Sequence, residues 1–154
     1  MRNEILNHLL RLLLIFTLLS FVNFIACSSD DESPTEPQKA TVTGTLNLPE
    51  DAAGKTWAVL FDTDIDGDNG YAFMGMGTCP SGTEVPYIVN GVNTGTYYLY
   101  AVIFVGGDFT EGPQFGDFIG IYGGEYPDNA PASPNAQVKS GTNTFDIDLV
   151  VMAD

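Results

Sequence analysis

Residues 95–105 (Gly-Thr-Tyr-Tyr-Leu-Tyr-Ala-Val-Ile-Phe-Val) constrain the fold more than any other stretch of the chain. Tyr97, Leu99, Ala101, Ile103 and Val105 alternate with Tyr98, Tyr100, Val102 and Phe104. The residue types favour a pleated backbone. A strand that is apolar on both faces must run through the middle of a sheet and be covered on both sides.

The remaining pattern agrees with that strand. Helical periodicity is absent from residues 40–151, where short β-branched and aromatic runs alternate with Gly, Pro, Asn and Asp clusters. Residues 41–48 place Val42, Leu46 and Leu48 on one face. Residues 56–62 set Trp57, Val59 and Phe61 against Ala58 and Leu60. In 71–78, Gly75 and Gly77 interrupt the run and point to a bulge or a close backbone approach. Residues 85–89 form a short strand, and 117–122 another. Residues 144–151 alternate cleanly, with Phe145, Ile147, Leu149 and Val151 inward and Asp146 and Asp148 outward. This spacing predicts an all-β fold, a single sandwich of about seven strands over 40–154. Residues 123–137 read as one long loop punctuated by prolines.

The run Tyr87-Ile88-Val89-Asn90-Gly91-Val92-Asn93-Thr94-Gly95-Thr96-Tyr97-Tyr98-Leu99-Tyr100-Ala101 resembles a signature of prealbumin-like domains (transthyretin-like, carboxypeptidase-regulatory-like). In that family a short strand and a G-V-x-x-G-x-Y turn lead into a longer strand. The opening Val42-Thr43-Gly44-Thr45-Leu46 is similar to the family's first strand. The resemblance spans 40–151 and implies a small Greek-key sandwich that serves as an adhesion, spacer or accessory module.

The first segment is an address and stands apart from the fold. Arg2 opens a short charged region, with Arg11 close behind, and from Leu9 to Ala26 the chain is almost wholly apolar, the shape of a signal peptide over 1–26. The run approaches the length of a membrane-spanning helix. Small Ala26 before Cys27 and the acidic residues that follow favour cleavage instead. Phe24-Ile25-Ala26-Cys27 resembles the lipobox of bacterial lipoproteins, with Phe24 where Leu is usual. That resemblance implies lipidation of Cys27, with acyl chains anchoring the protein in a membrane. Residues 27–39, opening Cys27-Ser28-Ser29-Asp30-Asp31-Glu32, then form an acidic tether rich in Pro and Ser. The acidic start is similar to the export tail of some surface lipoproteins, and it is equally an ordinary soluble linker. Localisation is therefore expected at the outer membrane, with the surface as one of its two faces.

Cleavage before Cys27 would remove His8, Arg2 and Arg11, leaving Lys39, Lys55 and Lys139 against 19 carboxylates, a formal charge of about −16. So acidic a chain repels phosphate backbones, which argues against nucleic acid as a partner. It repels anionic headgroups too. With Cys27 acylated, Cys79 has no intramolecular partner and reads as a small buried apolar residue. A chain without His or Arg cannot build a Ser-His-Asp triad, a His-ligated zinc site or an arginine clamp. The chain is not expected to be an enzyme.

Two constellations remain. Asp62-Thr63-Asp64-Ile65-Asp66-Gly67-Asp68-Asn69-Gly70 matches the first half of a calcium loop, D-x-D-x-D-G. Asp62, Asp64, Asp66 and Asp68 are the candidate Ca²⁺ ligands, with Glu84 as a distant contributor. Phe73 stands where an EF-hand has its bidentate Glu. The same residues also suit a plain hairpin turn. Phe109, Phe115, Phe118, Tyr122 and Tyr126 lie near Asp108, Glu111, Asp117 and Glu125, a composition that can bind sugars or peptides and that core packing also explains. The expectation is a lipid-anchored binding or structural module of the cell envelope, engaging an envelope glycan or protein. The alternative is a calcium-dependent glycan- or peptide-binding lipoprotein.

Overall fold

The computed structural model describes residues 38–64, 70–126 and 128–153. The signal segment, Cys27, nearly all of the tether, and Asp66 and Asp68 lie outside those residues. No helix among the described residues is long and apolar enough to cross a membrane.

The described chain is an all-β sandwich. In order its strands are β1 (Lys39–Asn47), β2 (Thr56–Asp62), β3 (Phe73–Thr78), β4 (Glu84–Asn93), β5 (Gly95–Phe104), β6 (Phe118–Ile121), β7 (Ala136–Val138), β8 (Gly141–Thr144), β9 (Ile147–Asp148) and β10 (Val150–Val151). One sheet runs β4-β1-β8, with β9 continuing alongside β1; the other runs β10-β6-β5-β2-β3, with β7 on β5. β4 returns antiparallel beside β1, and β5 beside β2. That is the Greek-key return.

The alternation of side chains sets which faces meet. Val42 and Leu46 of β1, with Val85 and Val89 of β4, pack on Trp57, Val59 and Phe61 of β2 and on Leu99 and Ile103 of β5. Phe61, Phe118, Leu46 and Leu99 are among the largest fully buried side chains, each contributing about 1.5–3 kcal/mol by leaving water. β5 is central, as its two apolar faces require. Its other face, with Val102 and Phe104, joins Ala58, Leu60 and Ile119 in a second, smaller cluster.

Gly75 and Gly77 mark a close approach and not a bulge. The β2–β3 register is unbroken from Thr56↔Thr78 to Phe61↔Phe73. A Cβ at Gly77 would stand 2.6 Å from the Trp57 indole, and one at Gly75 2.3 Å from Val89.

Three expectations are corrected. β4 is longer than 85–89, because a bulge carries the strand through residues expected to turn. The register shifts where Ala40 pairs with Val92 and Thr41 with Asn90, and Gly91 takes up the extra residue at φ 77°. Val89 and Val92 thereby both face the core. The end of the 123–137 loop is also strand, since Ala136 and Gln137 of β7 pair with Tyr97 and Thr96. Finally, the run 144–151 is broken into pieces that change sheets. β8 and β9 lie parallel to β1, whereas β10 pairs antiparallel with β6. Phe145, Ile147 and Leu149 face inward as expected, but Val151 is 49% exposed at the edge of the second sheet.

Candidate functional site

Every second residue of β2 turns away from the main core. Ala58, Leu60 and Asp62 pair across the sheet with Val102, Tyr100 and Tyr98 of β5, which share that outer face. Ile119 of β6 continues it beside Val102. Three segments rise over this floor. The loop after β5 brings Phe109 and Pro113, the stretch after β6 brings Tyr126, and the approach to β3 brings Tyr71. Together they enclose a cleft of about 330 Å³, within the range of small-ligand sites. Phe109 stands edge-on to Phe104 with ring centroids 6.1 Å apart. Tyr71 and Phe109 remain exposed at the rim.

Asp117 builds the wall. It is fully buried, and its Oδ1 accepts hydrogen bonds from the backbone N–H of Val105 (2.7 Å) and Gly106 (3.1 Å). Its Oδ2 accepts from Gln114 N–H at 2.9 Å. Asp108 turns the tip of the same loop, accepting from the Thr110 hydroxyl at 2.5 Å and from Thr110 N–H at 2.8 Å. The Thr110 side chain, then its backbone N–H, hold the Asp108 carboxyl below its usual value. Glu111 accepts from the Gln114 side-chain amide.

Asp62 is the other buried carboxylate, and it is used differently. It is 2% exposed at the end of β2 and lines the cleft. Oδ1 accepts from Asp64 N–H at 3.0 Å, while Oδ2 is buried without a hydrogen-bond partner among the described residues. A buried carboxylate oxygen left unsatisfied is costly and uncommon in a folded chain. Its charge is felt in the cleft. Burial first, then the charge of Asp62, then the neighbouring phenols Tyr98, Tyr126 and Tyr71 push Tyr100 up to about 12.

Tyr87 and Tyr97 are raised as well, both chiefly by burial. A raised phenol pKa means that the unfolded chain releases its proton first. Stability is therefore held below about pH 10 and falls as the pH climbs through 12. Titration of phenolate absorbance should show Tyr87, Tyr97 and Tyr100 ionising above the ordinary tyrosine value, alongside alkaline unfolding. A single shared transition near the ordinary tyrosine value would contradict the packing described above.

The structure divides the aromatic group read from the sequence. Phe109 and Tyr126 line the cleft. Phe118 belongs to the main core, and Tyr122 packs on Phe145 at 4.9 Å between centroids. Phe115 is 65% exposed, outside the cleft. Of the carboxylates, Asp108, Glu111 and Asp117 brace the loop, and Glu125 bridges to Asn129 through the backbone. Tyr71, Tyr98 and Tyr100 were not singled out by sequence reasoning. The available signal was an Asp in phase with Ala58 and Leu60, opposite two tyrosines on the second face of the central strand.

The acidic loop is described only in part. Asp62 is buried and Asp64 half-buried, whereas Asp66 and Asp68 lie outside the described residues. Among the described residues no three His, Cys, Asp or Glu side chains gather as a metal site. Glu84 opens β4 in the opposite sheet, paired with Asn47. Cys79 is buried and free, its thiol raised chiefly by burial. In comparisons with known proteins, no family profile, curated protein or solved structure matches this chain.

Proposed function

We propose that this chain is a lipid-anchored, non-catalytic binding module of the bacterial cell envelope, with a prealbumin-like sandwich carried on an acidic tether. The observation that carries the binding reading is the aromatic cleft over the outer sheet face, with Asp62 in its floor. A sheet face that served only as structure would be closed by its own side chains or be polar. This one is apolar and roofed by loops that leave a cleft of about 330 Å³ with Tyr71 and Phe109 exposed at its rim, and the loop beside it is braced by Asp117. Beyond residue 11 the chain's basic side chains are lysines only, which supports recognition over proton-transfer chemistry.

A second reading, calcium-dependent binding, is favoured by one feature. Asp62 belongs both to the D-x-D-x-D-G run and to the cleft lining. A cation held by Asp62, Asp64, Asp66 and Asp68 would then couple to whatever the cleft holds.

Two measurements test the module. Cys27→Ser is expected to abolish labelling by radioactive palmitate and to release the protein from the membrane fraction. Undiminished labelling would overturn the lipid anchor. Binding is tested by NMR with a library of sugars, peptides and amines, in millimolar calcium and in chelator. Shifts should gather at Leu60, Tyr100 and Ile119, and a library that moves none of them refutes the cleft as a site.

A further inference from the structure

The chemistry of the cleft names its ligand more narrowly, on the reading that the cleft is a binding site. Its lining combines apolar side chains, aromatic rings and one buried carboxylate. No lysine lines it. Lys39 donates to the Asn93 side chain at 2.6 Å and lies over the Phe73 ring. Lys55 donates to the Val105 carbonyl at 2.7 Å. Lys139 lies beside β7, away from the cleft lining. Among the described residues, therefore, Asp62 is buried with no lysine as its partner.

We propose that the cleft holds an organic ammonium group on an apolar stem, of the kind a lysine side chain or an alkylamine presents. The Asp62 carboxylate lines the cleft at the end of β2, on the face it shares with Tyr100; the rings of Tyr71 and Tyr126 line the same cleft, and Phe109 lines it over Phe104, toward the other end of the strand. Aromatic faces carry the negative end of the ring quadrupole and attract cations. A carboxylate held away from water acts on a charge in the cleft with far less screening than one on the surface. Leu60, Val102 and Ile119 give the stem an apolar floor. A sugar is a poorer match, because its hydroxyls need several converging polar partners, and the second carboxylate near this loop, Asp117, is already consumed by backbone N–H groups. Anionic ligands are opposed by Asp62 and by the net charge of −15.

The test uses the whole protein and a matched pair of probes, n-butylammonium and n-butanol, followed by NMR at Leu60, Tyr100, Val102 and Ile119. The cation is expected to bind about tenfold more tightly than the alcohol, the ratio that a partly desolvated cation–π and charge contact supports. Asp62→Asn should bring the two probes together, and Phe109→Ala should weaken both. If the alcohol binds as tightly as the cation to the unaltered protein, the cleft is a site but the ammonium assignment is wrong. If neither probe shifts the cleft resonances, the ammonium assignment fails, and the library screen separately decides whether the cleft binds anything else. An undiminished preference for the cation in Asp62→Asn also overturns the proposal, since another group would then supply the charge. Should that variant not fold, the comparison of the two probes on the unaltered protein still decides the matter.

Discussion

Asp117→Ala is expected to destabilise the fold by about 3–5 kcal/mol, among the largest effects a single substitution produces. The carboxylate is fully buried and is shared by three backbone N–H donors, from Val105, Gly106 and Gln114. Hydrogen bonds to a charged acceptor are each worth about 1.5–3 kcal/mol, and a buried donor left without a partner costs about 1–3 kcal/mol. The loop can recover part of this by turning its amides to water, which keeps the total below the simple sum. Asp117→Asn keeps one acceptor oxygen for Val105 and Gly106 and should cost less, about 1–3 kcal/mol. Urea denaturation followed through the fluorescence of Trp57, which is 7% exposed, measures both variants. Equal stability of Asp117→Ala and the parent would show that the loop is not held in this way. The same change should loosen Phe109 and Pro113 and so weaken binding in the cleft.

Gly44→Ala is expected to cost about 3 kcal/mol or more, by overpacking a place where no atom can give way cheaply. A Cβ at Gly44 would stand 1.8 Å from the Phe145 carbonyl oxygen and 2.8 Å from the Tyr87 ring. The Tyr87 hydroxyl donates to that same carbonyl at 2.6 Å, so the ring, the glycine and the last part of the chain form one contact. Adding one methyl must displace backbone from β1, and the Tyr87 hydrogen bond goes with it. For a domain of this size the loss corresponds to a fall in Tm of roughly 10–20 °C. Scanning calorimetry reads it directly. A fall of only a degree or two would mean that the terminal run is not tightly seated on β1.

The parts of the fold that were legible in the sequence are those decided by neighbouring residues. β2 occupies 56–62 as expected, and β5 ends one residue short of the expected 105. The period-2 pattern there is strong and local, and it set Trp57, Val59 and Phe61 on the core side. The expected in–out order of Phe145, Ile147 and Leu149 also holds. The break between β8 and β9 was less visible, because its causes lie far away in sequence. Gly44 lets the chain approach β1, and Thr45 N–H donates to Asp146 Oδ1 at 2.8 Å where ladder pairing lapses. A clean alternation says which way side chains point. It does not say which sheet the strand joins.

The site divides along the same line. By itself the sequence determined an all-β sandwich with a doubly apolar central strand, and a chain poor in basic side chains beyond residue 11. These follow from residue types and from the two-residue repeat of a strand. The tertiary structure alone decided that the segments covering the second face of that strand leave a cleft, that Asp117 is spent on backbone amides, and that Asp62 is buried with one oxygen unpartnered among the described residues. The reason is physical. Burial and hydrogen-bond partnership depend on which segments fold over a sheet face, and here Tyr71, Phe109 and Tyr126 arrive from three separate places in the chain.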